Sequence, residues 1–245
     1  MAEVAGAYVL YPEQSRRANP QRCWNWFLEG NQFRDAGEPA QIIALVNAVC
    51  ESHPIDRRRV YVAGLSAGGA MAAILAEQAP DIFSAVGIMA GVALHASHDL
   101  ASAAAAMHGD VTEAHIVPLL TRNQRRLPDY GRLRVTIWSG ANDRLVDPGN
   151  ASLLARQFLR LLDIPEASAT LEERADAEVV RWRDPGKRVR VEAWRIPAMG
   201  HAWSGGSFRG SYTYPAGPRA SDEMMSFFLD DGATARRRSV SAATP

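Results

Sequence analysis

The chain has 245 residues, 47% apolar and 22% charged, and its 27 basic residues are balanced by 27 acidic ones. That make-up suits one globular domain, and a net charge of zero removes the electrostatic case for nucleic acid or an anionic membrane as partner. No apolar run approaches the ~18 residues of a membrane span, the first residues lack the basic start and apolar core of an export signal, and two cysteines, Cys23 and Cys50, do not decide a redox compartment.

In chain order, Ala7-Tyr8-Val9-Leu10-Tyr11 reads as a strand closed by Pro12. Residues 12–39 form a long loop around Cys23-Trp24-Asn25-Trp26-Phe27, where the aromatic rings either roof the core or face a site. Apolar residues at helical spacing predict a helix over 39–50. Val60–Val62 then predicts a buried strand that runs into Gly64-Leu65-Ser66-Ala67-Gly68 and a helix from Ala70 to Ala76. Ala85–Met89 predicts a second buried strand. Residues 92–130 are alanine-rich and broken by Gly109 and Pro118, which predicts a helical insertion over the core. A strand over 133–138, a helix over 150–162, a strand over 189–196 and a helix over 221–229 complete the pattern. Residues 164–188 are charged and poorly patterned, and 231–245 read as a polar tail. Alternating strands and helices imply one α/β domain over 7–230, with a mostly parallel sheet and helices on both faces.

The strand, sharp turn and helix around Ser66 are the context of a nucleophile elbow. The turn lifts the serine hydroxyl at the C-terminal edge of the sheet, above the positive end of a helix. A serine hydroxyl near neutral pH needs a base, which a carboxylate in turn orients. Of six histidines, His53 lies on the wrong side of the sheet, and His95, His98, His108 and His115 fall in the insertion. His201 follows the strand over 189–196 in a glycine-bearing loop, and is the expected base. Two acids follow the strand over 133–138. Asp143 can turn back toward an imidazole, whereas Asp147, before Pro148, is explained by capping the next helix. His95-x-x-His98-Asp99 has the spacing of metal ligands but no scaffolded companion. With no phosphate loop or dinucleotide fingerprint either, neither a metal nor another cofactor is expected.

Four motifs together resemble the poly(3-hydroxybutyrate) depolymerase-like esterases. They are Gly64-Leu65-Ser66-Ala67-Gly68-Gly69-Ala70-Met71, Asn19-Pro20-Gln21-Arg22-Cys23-Trp24-Asn25-Trp26-Phe27, Gly200-His201-Ala202-Trp203-Ser204-Gly205-Gly206 and Gly210-Ser211-Tyr212-Thr213. The resemblance spans about residues 7–229. It implies an α/β-hydrolase with Ser66, Asp143 and His201 as triad, and hydrolysis of carboxylic esters through an acyl-enzyme. The substrates implied are 3-hydroxyalkanoate polymer or oligomers, or, in related branches, feruloyl or acetyl esters of plant polysaccharide. Such proteins are typically secreted, so an extracellular place is expected.

The family pattern also carries an earlier strand, a His-Gly-Cys-type loop and a helix, and the match here begins inside that helix. That loop supplies one of two oxyanion N–H donors; the other, Ala67 N–H, is present. The alternative expectation is therefore a catalytically impaired, non-enzymatic fragment. Ser139 stands where the family commonly has histidine. Trp203, two residues past the base, and Trp26 are the expected substrate-lining side chains, and Cys23 with Cys50 is a candidate disulfide.

Overall fold

The computed structural model describes residues 2–111 and 130–230. The expected polar tail and residues 112–129 of the expected insertion lie outside them. The described elements are α1 (Gly37–Ser52), β1 (Tyr61–Leu65), α2 (Ala67–Gln78), β2 (Ala85–Met89), α3 (Leu100–Met107), β3 (Arg134–Gly140), α4 (Gly149–Leu161), β4 (Thr170–Glu173), β5 (Glu178–Arg183), β6 (Val189–Ile196), β7 (Trp203–Ser204), β8 (Thr213–Tyr214) and α5 (Ala220–Leu229).

The main sheet runs β1-β2-β3-β6-β5-β4. Its first four strands are parallel, and β5 and β4 add antiparallel to β6. Residues two apart share a face, and the strands obey that rule. Val86, Ile88, Val135, Ile137 and Val191 join Ile42 of α1, Met71 and Leu75 of α2 and Leu154 and Phe158 of α4 in one core. Ala85, Met89, Trp138, Trp194 and Ile196 pack on the other face against Met224, Phe227 and Phe228 of α5. Trp138 and Trp194 are register partners and stack with centroids 4.1 Å apart. Their indole N–H groups are satisfied beneath the sheet. Trp138 Nε1 donates to Thr136 Oγ1 (2.7 Å) and Trp194 Nε1 to Glu192 Oε1 (2.9 Å), and the second oxygen of Glu192 takes Arg181 Nε at 3.1 Å.

Three expectations are corrected. Ala7–Tyr11 is not a strand, because β propensity needs a partner ladder: β1, the nearer sheet margin, pairs only with β2. Tyr8, Val9, Leu10 and Tyr11 are instead extended and 38–85% exposed, with Tyr8 edge-on to His53. Residues 164–188 do carry strands. Their alternation is hidden because charged and apolar residues share a face: Arg181, two residues from buried Val179, binds Glu172 of β4 and Glu192 of β6, and Arg174 binds Glu172 and Glu223 of α5.

The third correction is that Cys23 and Cys50 are both free thiols. Asn25, two residues from Cys23, bonds Glu38 in the first turn of α1 through its backbone N–H (2.7 Å), while Cys50 lies in the last turn of that helix. Twelve residues of helix span about 18 Å, well beyond the ~7 Å between α-carbons that a disulfide tolerates.

Glu38 organises the loop before α1. Its carboxylate accepts Gln14 Nε2 (2.6 Å), Asn25 N–H (2.7 Å) and Asn25 Nδ2 (2.7 Å), while its own N–H donates to Asn31 Oδ1. The segment after β2 is fixed in the same way. Asn150 and Gln157 of α4 bind the backbone of Ala93 and Leu94, and His95 Nε2 sits 2.8 Å from Glu77 Oε1 of α2.

Candidate active site

Ser66 joins β1 to α2 with φ 57° and ψ −120°, a conformation that a side-chain-bearing residue holds only when its surroundings enforce it. Two contacts enforce it here. Ser66 N–H donates to Met89 O at the end of β2 (2.9 Å), and Ser66 O accepts Ala70 N–H (2.9 Å). The turn closes so tightly that a β-carbon on Gly64 would lie 2.1 Å from Gly68 O, and one on Gly69 2.8 Å from Met89 O. Those two positions require glycine. Gly68, the second glycine of the motif, has room for a β-carbon instead, which would meet Trp24 Cδ1 at 3.9 Å, an ordinary contact distance.

Asp143 lies three residues past β3 and is 8% exposed. Its Oδ1 accepts the N–H groups of Leu145 (2.9 Å) and Val146 (3.0 Å), and its Oδ2 lies 2.7 Å from His201 Nδ1. Burial pushes this carboxyl up, but the His201 bond and the two backbone donors outweigh it and hold it below its ordinary value. Asp143 is therefore an anion whose geometry leaves one oxygen for the imidazole. Asp147 is used differently: its Oδ1 accepts Gly149 N–H (2.7 Å) at the start of α4.

His201 comes to Asp143 because the loop after β6 folds back over the end of β3. Ala141 N–H donates to Ile196 O and Asn142 N–H to Met199 O, each at 2.9 Å, and the crossing is so close that a β-carbon on Gly140 would lie 2.2 Å from Met199 O. Ser66, Asp143 and His201 thus all emerge at the C-terminal ends of parallel strands, where ligands bind in open α/β sheets. Asp143 and His201 are in direct contact, whereas Ser66 Oγ makes no hydrogen bond among the described residues. Ala67 is the first residue of α2, so its N–H has no acceptor within the helix and stands beside the serine.

The expected lining residues separate. Trp203 is half-buried and its Nε1 donates to Ser221 Oγ at the start of α5 (3.1 Å). Trp26 is 6% exposed, packed in the core edge-on to Phe27, so it is a roof of the core rather than a wall of the site. Trp24, for which the sequence leaves roof and site both open, is the half-buried ring beside the elbow. The spacing of the two tryptophans does not separate their roles; only the anchoring of Asn25 between them on Glu38 does. His95 and His98 also diverge, since His95 is buried against Glu77 whereas His98 is exposed beside Asp99, which caps α3. No group of three or more metal-ligating side chains occurs among the described residues.

Comparisons with known proteins agree with this architecture. Acetyl xylan esterase from Aspergillus awamori superposes with a TM-score of 0.66 over 84% of this chain and 73% of that one, at 18% identity, which identifies the α/β-hydrolase fold. Poly(3-hydroxyalkanoate) depolymerase C of Paucimonas lemoignei is 29% identical over 195 residues, covering 79% of this chain and 47% of the relative. Feruloyl esterase B of Neurospora crassa is 29% identical over 171 residues, covering 66% of this chain and 57% of the relative. The chain therefore spans about half the length of these two relatives. A sequence model of the Esterase PHB depolymerase family matches residues 1–180, nearly three quarters of the chain. The chain belongs to that family of α/β-hydrolase esterases.

Proposed function

We propose that this chain is a serine esterase that cleaves carboxylic esters through an acyl-enzyme. The observation that carries the reading is the 2.7 Å contact between His201 Nδ1 and Asp143 Oδ2 at the sheet edge that also presents the strained Ser66. With Nδ1–H donated to the carboxylate, Nε2 is the free, basic nitrogen. Ser66 Oγ attacks the ester carbonyl as Nε2 takes its proton. The tetrahedral oxyanion meets Ala67 N–H and the positive end of α2. Collapse expels the alcohol, protonated by His201, and water repeats the sequence on the acyl-serine.

For the substrate, the relatives named as hydroxyalkanoate depolymerases favour esters of short 3-hydroxy acids, as oligomer or polymer. A feruloyl or acetyl ester of plant polysaccharide is the second reading, favoured by the relatives named as feruloyl and acetylxylan esterases.

The test is hydrolysis of p-nitrophenyl butyrate by the chain and by Ser66→Ala. Activity that vanishes in the variant, at an unchanged melting temperature, supports the reading, and equal activity in both sinks it. A cooperative melt with no hydrolysis by either protein favours the impaired-fragment alternative. Active protein is then compared on 3-hydroxybutyrate oligomers, methyl ferulate and acetylated xylan.

A further inference from the structure

At the opposite end of the parallel strands from Ser66 lies a cavity of about 200 Å³ bordered by five arginines, Arg58, Arg59, Arg132, Arg134 and Arg188. Its floor is the row of strand beginnings: Tyr61 opens β1, Ser84 precedes β2, Arg134 opens β3 and Arg188 precedes β6. No lining residue carries a carboxylate. The volume falls below the ~300–1,000 Å³ of pockets for drug-sized ligands, so the occupant is small.

The arginines are not fully explained by packing. Arg134 is 3% exposed. Its Nη2 donates to Phe228 O (2.9 Å) and its guanidinium lies 4.7 Å from the Phe227 ring centre, so no carboxylate balances the charge through these contacts. Arg188 Nη2 donates to Asp230 O (3.1 Å), yet its Nε is buried without an acceptor, alone in that respect among the buried side-chain nitrogens and oxygens of the described residues. An orphaned buried donor is costly, and an anion in the adjoining cavity would relieve it. Capping the C-terminal end of α5 accounts for one nitrogen on each of these residues. Burial and then the charge of Arg188 bring Arg134 down to about 10, and the opposing pull of the Asp230 carboxylate does not offset them. Around the rim, Asp56 neutralises Arg58 (3.1 Å), and Arg132 donates only to the backbone carbonyl of Asp81 (3.3 Å).

We propose that this cavity is a binding site for a small multivalent oxyanion, bearing either phosphate or several carboxylates. The guanidinium fork matches both groups, and so many cations favour a ligand with more than one negative charge.

The experiment is calorimetric titration of the full chain with inorganic pyrophosphate and, separately, citrate, at fixed ionic strength. At least one of them is expected to bind saturably at one site per chain. Pyrophosphate alone would assign phosphate chemistry, citrate alone polycarboxylate chemistry, and both together the shared oxyanion. Hydrogen bonds to charged groups are each worth a factor of about ten or more. The double variant Arg59→Gln/Arg132→Gln, which changes only exposed side chains, should therefore weaken binding at least that much. Arg16→Gln, in the loop before α1, should not, and Ser66→Ala should bind like the unaltered chain. Should the double variant fail to melt cooperatively, Arg132→Glu alone gives the same readout. Heats that never saturate, or equal affinity in the unaltered chain and the rim variants, would overturn the proposal.

Discussion

Trp24 lies 3.9 Å from the point where Gly68 would carry a β-carbon, so the second glycine of the elbow opens onto an aromatic wall rather than onto packed backbone. The glycines of the motif therefore answer to different demands. Gly68→Ala should melt within about 1 kcal/mol of the unaltered chain, whereas Gly64→Ala and Gly69→Ala should lose at least ~1–3 kcal/mol through forced backbone shifts. Thermal melts of the three variants decide this, and equal losses would contradict it. The same contact predicts that Trp24→Ala raises KM for p-nitrophenyl esters more than Trp26→Ala does, the latter acting through stability instead.

Backbone strain at Ser66 makes a second prediction. Glycine adopts φ 57° without a β-carbon penalty, while alanine keeps it. Ser66→Gly should thus melt higher than Ser66→Ala, by about 1 kcal/mol once the unfolded-state entropy of glycine is subtracted. Both variants should be inactive.

Asp143 and Asp147 sit four residues apart but hold different groups, an imidazole and a helix start. Asp143→Asn should lower kcat by about 10⁴, the size expected when a histidine loses the carboxylate that sets its tautomer. Asp147→Asn should stay within roughly threefold, because a capping asparagine serves nearly as well as aspartate. The folded Asp143 carboxyl titrates below its ordinary value. Its stabilising contribution is therefore complete above the unfolded value of about 4 and is lost as pH falls through the lower, folded value. The stability gap between the unaltered chain and Asp143→Asn should be constant near neutrality and close in strong acid. A gap that instead widened on acidification would show the sign to be wrong.

Cys23 is exposed and Cys50 half-buried, and both are free. Thiol titration of the denatured chain should count two groups with or without prior reductant, and in the native chain Cys23 should react first. One extra pair of thiols appearing only after reduction would mean that the two ends of α1 are bridged after all.

Much of this architecture was legible because its signals are local. Ser66 is flanked by a strand and a helix that each declare themselves in a few residues, and Val189–Ile196 reads as a strand because Val191 meets one core while Trp194 and Ile196 meet the other. What escaped depended on distant partners. Ala7–Tyr11 has strand chemistry without a neighbouring ladder, and Glu178–Arg183 lacks an obvious pattern because ion-paired Arg181 shares a face with buried Val179. The aromatic loop illustrates the same limit. Nothing in Trp24-Asn25-Trp26 reveals that a carboxylate thirteen residues later grips the asparagine and turns one ring inward and the other toward the elbow.

The β4–β5 hairpin has a consequence for how copies of the chain meet. A sheet margin normally invites another strand to dock, and β4 is short, fully exposed and studded with Glu172 and Glu173 beside Arg174 and Arg181. Incoming backbone would have to displace that mesh of opposite charges and bring like carboxylates together. Association through this margin should accordingly depend on ionic strength, rising as added salt screens the mesh, which light scattering across a salt series would show.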